Sequence, residues 1–307
     1  MTMIETIRAA VTLGPTMRRT ATDIDVLFES LLADPPDGRA RLFQAMRYAA
    51  VGGGKRLRPL LAIASSSLFG VPRARALHAG LAVECIHVHS LIHDDLPCMD
   101  DDDLRRGKPT VHRAYDQATA VLAGDAFLAL AFEVLADPCT HPNGEVRVEL
   151  TVELARASGA AGMAGGQMLD LLSESGAGHP LDMEAITRLQ RLKTGALIAW
   201  SVDAGAILGS ASPEQRTSLR GYAQNLGLAF QIADDLLDCE GDEETAGKRL
   251  RKDEAAGKVT FVTLLGAERA RRQAEMLVDQ AVDHLRGFGD EARLLEAIAR
   301  FAVSRDR

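Results

Sequence analysis

Two groups of aspartates have the types and spacing to do chemistry. Asp94, Asp95 and Asp100 form D-D-x-x-x-x-D, and Asp234, Asp235 and Asp238 form D-D-x-x-D. Both interrupt apolar, helix-forming sequence, where unneutralised carboxylates repel one another and lose hydration. A hard divalent cation with oxygen ligands, typically Mg²⁺, supplies the missing positive charge. In the second group the i and i+4 positions place Asp234 and Asp238 on one helical face, with Asp235 bordering it. The first group cannot share one straight face, because Pro97 falls inside it. A helix break is expected there, letting the carboxylates converge from a helix end. Either group alone also reads as solvated surface; the two together point to metal.

Metals held by carboxylates keep waters and complete their shells with substrate phosphates, and cations suited to phosphate lie close by. Residues 52–59 read GGGKRLRP, Arg105, Arg106 and Lys108 follow the first aspartates, and Lys193-Thr194, Lys248 and Lys258 lie farther on. Guanidinium forks and ammonium charges match phosphate oxygens. GGGKRLRP is not a P-loop, because Lys55 is followed by Arg56 rather than Ser or Thr. His87 stands seven residues before Asp94, on nearly the same helical face, which fits a diphosphate ligand or a core histidine. Ser90, four before Asp94, points the same way. No Ser/His/Asp or Cys/His nucleophile system is legible.

The elements that must position these residues read as all-α. Ala and Leu recur at helical spacing, and no long segment alternates with period two. Breakers at Pro35-Pro36, 52–54, Gly70 with Pro72, Pro97, Gly107 with Pro109, 137–144, 176–180, Ser212-Pro213 and 241–257 leave room for about ten helices. Segments 76–92, 118–136 and 221–237 are apolar on most faces and are expected to lie centrally. No repeat or linker divides the chain, so residues 1–307 read as a single domain, with residues 1–20 as a flexible N-terminal tail.

With 307 residues, 47% of them apolar, the chain can bury a sizeable core. A net charge of −8 argues against nucleic acid or an anionic membrane as a general partner and leaves room for an anionic small molecule bound by local cations. Four cysteines without a C-x-x-C pair, read as buried thiols, fit a reduced setting. The N-terminus lacks a signal-peptide core, and the apolar segment 195–209 is too short to span a membrane and contains Asp203. A cytoplasmic protein without a transmembrane segment is expected.

The motifs GGGKRLRP (52–59), LIHDDLPCMDDDDLRRGKPT (91–110), GDAFL (124–128), KTGAL (193–197), FQIADDLLD (230–238) and GKVTF (257–261) resemble, in content and order, the trans-type polyprenyl diphosphate synthases. The resemblance implies an all-α bundle around a deep central cavity, a homodimer, and three Mg²⁺ bound with an allylic diphosphate, Mn²⁺ being able to substitute. By resemblance, Asp94 and Asp100, with Asp95 nearby, hold two ions, and Asp234, supported by Asp235 and Asp238, holds the third. Lys55, Arg58, His87 and Arg106 bind the diphosphate of isopentenyl diphosphate. Arg105, Lys193, Thr194, Gln231, Lys248 and Lys258 contact the allylic substrate or its departing diphosphate, with the Lys248 loop helping to close the site. The implied reaction is head-to-tail condensation of isopentenyl diphosphate with dimethylallyl and then geranyl diphosphate. The residues four and five before the first aspartate, Ser90 and His89, then set the cavity floor. The intermediate size of His89 favours farnesyl diphosphate as product over geranylgeranyl diphosphate.

Three other readings compete. A terpene cyclase shares helices and an aspartate motif, but D-D-x-x-D and the cations Lys55, Arg58 and His87 oppose it. An HD-type metal phosphohydrolase is suggested by His93-Asp94 near His87 and His89, and it leaves residues 234–238 and 52–59 unexplained. A non-catalytic partner subunit would typically lose one aspartate motif, and both are intact.

Overall fold

The computed structural model describes residues 3–175, 182–240 and 259–304; Lys248 and Lys258 lie outside the described residues. In chain order the long helices are α1 (Met3–Leu31), α2 (Ala40–Ala50), α3 (Leu57–Ser67) and α4 (Arg73–Asp94). A short hairpin follows, with β1 at Leu104–Arg105 and β2 at Lys108–Pro109. Then come α5 (Val111–Ala114), α6 (Gln117–Ala136), α7 (Gly144–Ser158), α8 (Met163–Glu174) and α9 (Met183–Gln190), the last running into a π-helical turn at Arg191–Gly195. Helices α10 (Ala196–Leu208), α11 (Pro213–Glu240), α12 (Phe261–Leu265), α13 (Ala267–Asp283) and α14 (Arg293–Ser304) complete the bundle.

The boundaries follow local chemistry. Pro35-Pro36, the glycines at 52–54, Gly70, residues 137–143 and Ser212 fall between helices, and Gly144 and Pro213 are the first residues of α7 and α11. Asp116 caps α6 by accepting from the Thr119 amide, and Thr260 and Thr263 form a capping box on α12. The hairpin turns on Arg106 and Gly107, with φ of 53° and 75°, the pair of positive values that a type I′ turn requires. Residues from Met3 onward, expected as part of a tail, belong to α1, which buries Leu13 and Thr20.

Two apolar cores sit side by side. One gathers α1, α2, α4, α6 and α7; the other gathers α3, α11, α13 and α14; α10 contributes Trp200 to the first and Val202 to the second. Helix α10 is buried nearly throughout, as expected for a core helix. Helix α6 is less central than its composition suggests: Phe127 and Leu135 are buried, but Val121 and Leu122 are exposed. Among the described residues, α6 is also the helix long and apolar enough to cross a membrane by length and composition. Here it packs against α4, α2 and α7.

Candidate active site

The first aspartate group sits where α4 ends. Asp94 closes the helix, the chain turns through Pro97, and the Asp100 amide donates to the Asp94 carbonyl at 2.8 Å. This brings Asp94 and Asp100 together, and the charge of each is felt by the other. Burial is the largest influence on Asp94; Lys193 opposes it, Asp100 adds to it, and the carboxyl is pushed up to about 6. Asp94 is therefore a carboxylate whose charge Lys193 and Arg105 compensate only in part.

Asp95 feels the charge of Asp100 as well, but it has a cationic partner of its own. It is 3% exposed and points around the helix to Arg105, whose Nε and Nη2 donate to Oδ1 at 2.7 and 2.6 Å. Burial disfavours the charges of both partners; the Asp95 bond nevertheless raises the Arg105 pKa above its ordinary value. A cavity of about 70 Å³ lies on this side of α4, lined by Val51, Val88, Leu91 and Ile92 and by the hairpin.

The second group repeats the division. Both oxygens of Asp235 accept hydrogen bonds, Oδ1 from Gln231 Nε2 at 2.9 Å and Oδ2 from the Phe261 amide at 2.9 Å. Thr194 Oγ1 donates to Gln231 Oε1 at 3.1 Å, so the π turn, α11 and α12 are tied through one carboxylate. In each motif the second aspartate anchors neighbouring structure. Among the described residues, no three carboxylate, imidazole or thiol groups form a ready-made metal cage.

The cations converge from three elements. Arg58, on α3, feels the charge of Asp234 on α11, and burial lowers its pKa; its Nε is buried without a hydrogen-bond partner. Arg106 lies over Gly53 and Gly54, where any Cβ would overlap its guanidinium. His87 is pushed well below the usual histidine range by burial and by the charges of Arg58, Arg106, Arg105 and Arg56. A neutral imidazole among guanidiniums, one of them with an orphaned donor, gathers hydrogen-bond donors suited to an oxyanion. Lys55 is exposed, with Nζ over the Phe301 ring at 5.5 Å.

Three features escaped the sequence reading. Asp170 on α8 accepts from Lys193 Nζ at 2.5 Å, and Gly166 packs so closely on the π turn that a Cβ would collide with the Lys193 backbone. π turns recur at functional positions because they re-aim side chains. Arg56 and Glu84 form a buried ion pair directly behind the cations. The signal was Glu84 inside the apolar stretch 76–92 and Arg56 at the edge of 57–66, with nothing in the periodicity to name the partner.

His89 and His93 face α6. His89 Nδ1 lies 3.0 Å from the Gly124 carbonyl and His93 Nε2 lies 3.1 Å from that of Val121, with the rings edge to face at 4.5 Å. Gly124 is the seat: a Cβ there would overlap the His93 ring. Ser90 Oγ donates to the His87 carbonyl at 2.9 Å. His89 and His93 are taken up with α6 and with each other, and among the described residues no three such groups stand together as the metal centre of an HD-type phosphohydrolase would require.

Comparison with known proteins supplies the family. The polyprenyl synthetase family model matches residues 39–300. The chain belongs to the polyprenyl synthetase family. Like other members, it is similar along nearly its whole length to solved enzymes. An FPP/GFPP synthase from Zymomonas mobilis is 56% identical, with a TM-score of 0.89 over 96% of this chain and 100% of that one. A geranyltransferase from Helicobacter pylori, complexed with magnesium and isoprenyl diphosphate, is 33% identical with a TM-score of 0.77, covering 94% of this chain and 96% of that one. The farnesyl diphosphate synthase of Escherichia coli is 44% identical over 283 residues, 90% of this chain and 93% of its own.

Proposed function

We propose that this polyprenyl synthetase condenses isopentenyl diphosphate with dimethylallyl and then geranyl diphosphate, releasing farnesyl diphosphate. The single observation that carries the site is Arg58. Its buried, partnerless Nε stands with Arg106 and neutral His87 where a diphosphate would complete the hydrogen bonding.

The donor set fits Mg²⁺: hard carboxylate oxygens from Asp94 and Asp100 on one side, and Asp234 with Asp238 on the other. The unfavourable ionisation of Asp94 is what a bound cation would reverse. Mg²⁺ would supply charge to the diphosphate oxygens as the allylic carbon–oxygen bond breaks. Three ions, with Mn²⁺ as substitute, remain the stoichiometry proposed by resemblance.

The chain's own residues do the rest. Lys193 and Arg105, held by Asp170 and Asp95, donate to the departing allylic diphosphate, where preset donors lower the barrier most because they need no reorganisation. Thr194 and Gln231 fix the π turn that carries Lys193. Arg58, Arg106, His87 and Lys55 orient isopentenyl diphosphate so that its alkene faces the allylic carbon, and the proton lost after attack passes to the released diphosphate. Apolar walls exclude water, which would otherwise quench the cation. Lys248 and Lys258 are proposed to reach the same diphosphate.

His89, turned to α6 rather than standing alone in the apolar space, is proposed with Ser90 to set product length. Exposed Val121 and Leu122 on α6 and Val148 and Val152 on α7 support a homodimer through these helices. Four free cysteines, of which Cys98, Cys139 and Cys239 are exposed and Cys85 is buried, support a reduced, cytoplasmic setting and correct the expectation of buried thiols.

The roles separate kinetically. Arg58→Ala is expected to raise KM for isopentenyl diphosphate at least tenfold, whereas Asp234→Asn is expected to lower kcat by about 10²-fold or more. Equal effects of both variants on both constants would overturn the assignment.

A further inference from the structure

Glu84 is a buried carboxylate that the reaction does not use. It lies on α4, 2% exposed, three residues before His87 and ten before Asp94, so counter-charge, phosphate ligand and metal ligand follow one another along one side of the helix. Its Oε1 accepts from Arg56 Nη1 at 2.7 Å. Arg56 has no exposed side-chain surface and adopts φ of 48°, a left-handed value uncommon for arginine. It also donates to Asp25 Oδ1 at 2.7 Å and to the Ala50 carbonyl, and its guanidinium lies over the Phe28 ring. The bonds of this one side chain fasten the 52–56 loop to α1, α2 and α4 at the point where Lys55 and Arg58 leave it.

The negative charge of Glu84 reaches beyond its partner. It acts on Arg58 and on Arg106, the two guanidiniums closest to the proposed diphosphate, while Arg56 and Arg106 repel each other. Three guanidiniums packed this tightly without an anion would be costly. Glu84 offsets that cost when no substrate is bound, and the same charge then opposes the incoming diphosphate.

We propose that Glu84 is a resident counterion that assembles the arginine cluster and deliberately weakens its hold on diphosphate. It is a positioning residue acting through Arg56, Arg58 and Arg106, and it favours turnover by keeping the site from trapping diphosphate.

The proposal rests on the diphosphate site assigned above, and one titration separates the two claims. Inorganic diphosphate is titrated calorimetrically into metal-free protein at several salt concentrations, using wild type, Arg58→Ala and Glu84→Gln. The glutamine keeps the hydrogen bond to Arg56 and removes the charge. Glu84→Gln is expected to lower Kd about three- to tenfold, most at low salt, while lowering Tm. A merely structural role would loosen the loop and raise Kd, so an unchanged or raised Kd in folded Glu84→Gln overturns the proposal. If Arg58→Ala binds as wild type does, the diphosphate site itself is misplaced. Should Glu84→Gln fail to fold, Asp25→Asn removes the outer carboxylate of the same network. A Kd lowered about twofold then supports the proposal, and an unchanged or raised one overturns it.

Discussion

Arg105 holds Asp95 through two nitrogens on a single carboxylate oxygen, Nε at 2.7 Å and Nη2 at 2.6 Å. The pair fastens the hairpin to the end of α4. Arg105→Ala leaves a carboxylate that is 3% exposed without its partner, and is expected to cost about 2–4 kcal/mol in urea denaturation. Arg105→Gln combined with Asp95→Asn is expected to recover at least half of that loss. A single variant as stable as wild type would show that the pair is not a fastening.

Asp94 gives the metal-free protein a distinctive pH dependence. Burial, opposed by Lys193 and reinforced by Asp100, puts its folded pKa near 6, against about 3.9 in an unfolded chain. The folded state thus binds more protons between these values. Its contribution to stability is complete below about pH 4 and is lost as pH rises through 6. Asp94→Asn is expected to match wild type in Tm at pH 4 and to exceed it at pH 7.5 by the equivalent of about 1–3 kcal/mol. An advantage of equal size at both pH values would contradict this origin.

Gly124 seats His93. Gly124→Ala forces the ring out of its place against α6 and is expected to cost about 1–3 kcal/mol, together with part of the activity through displacement of the adjacent Asp94. His93→Ala in the same chain makes room for the new methyl group, so the double variant is expected to be less destabilised than the sum of the two singles. Additive losses in a thermal-melt double-mutant cycle would show that the contact is not what excludes a side chain here.

His89 carries the prediction about product length. Its replacement by alanine frees the space beside Gly124 and Ser90 and is expected to shift products from C15 towards C20 and longer, read by mass spectrometry. Unchanged product lengths would move the determinant elsewhere.

Much of the fold was legible because its punctuation is local. Pro35-Pro36 and Gly70 keep the chain between helices, and Pro213 opens one, through their own backbone chemistry, whatever surrounds them. The aspartate motifs were legible for a similar reason, since charge inside an apolar helix is expensive. Periodicity names a face, however, and never a partner. It could not tell that Arg105 takes Asp95, that the Phe261 amide takes Asp235, or that Glu84 meets Arg56 across 28 positions. The same limit explains α6: its residues are apolar on most sides, yet tertiary packing leaves Val121 and Leu122 exposed.

The central claim is chain growth at a diphosphate clamp, and product analysis tests it most directly. Purified protein is incubated with Mg²⁺, isopentenyl diphosphate and dimethylallyl diphosphate, and the products are identified by mass. Farnesyl diphosphate is predicted to accumulate with geranyl diphosphate as its precursor, and to vanish when the metal is chelated. Release of phosphate without any product longer than the five-carbon starter would contradict the account.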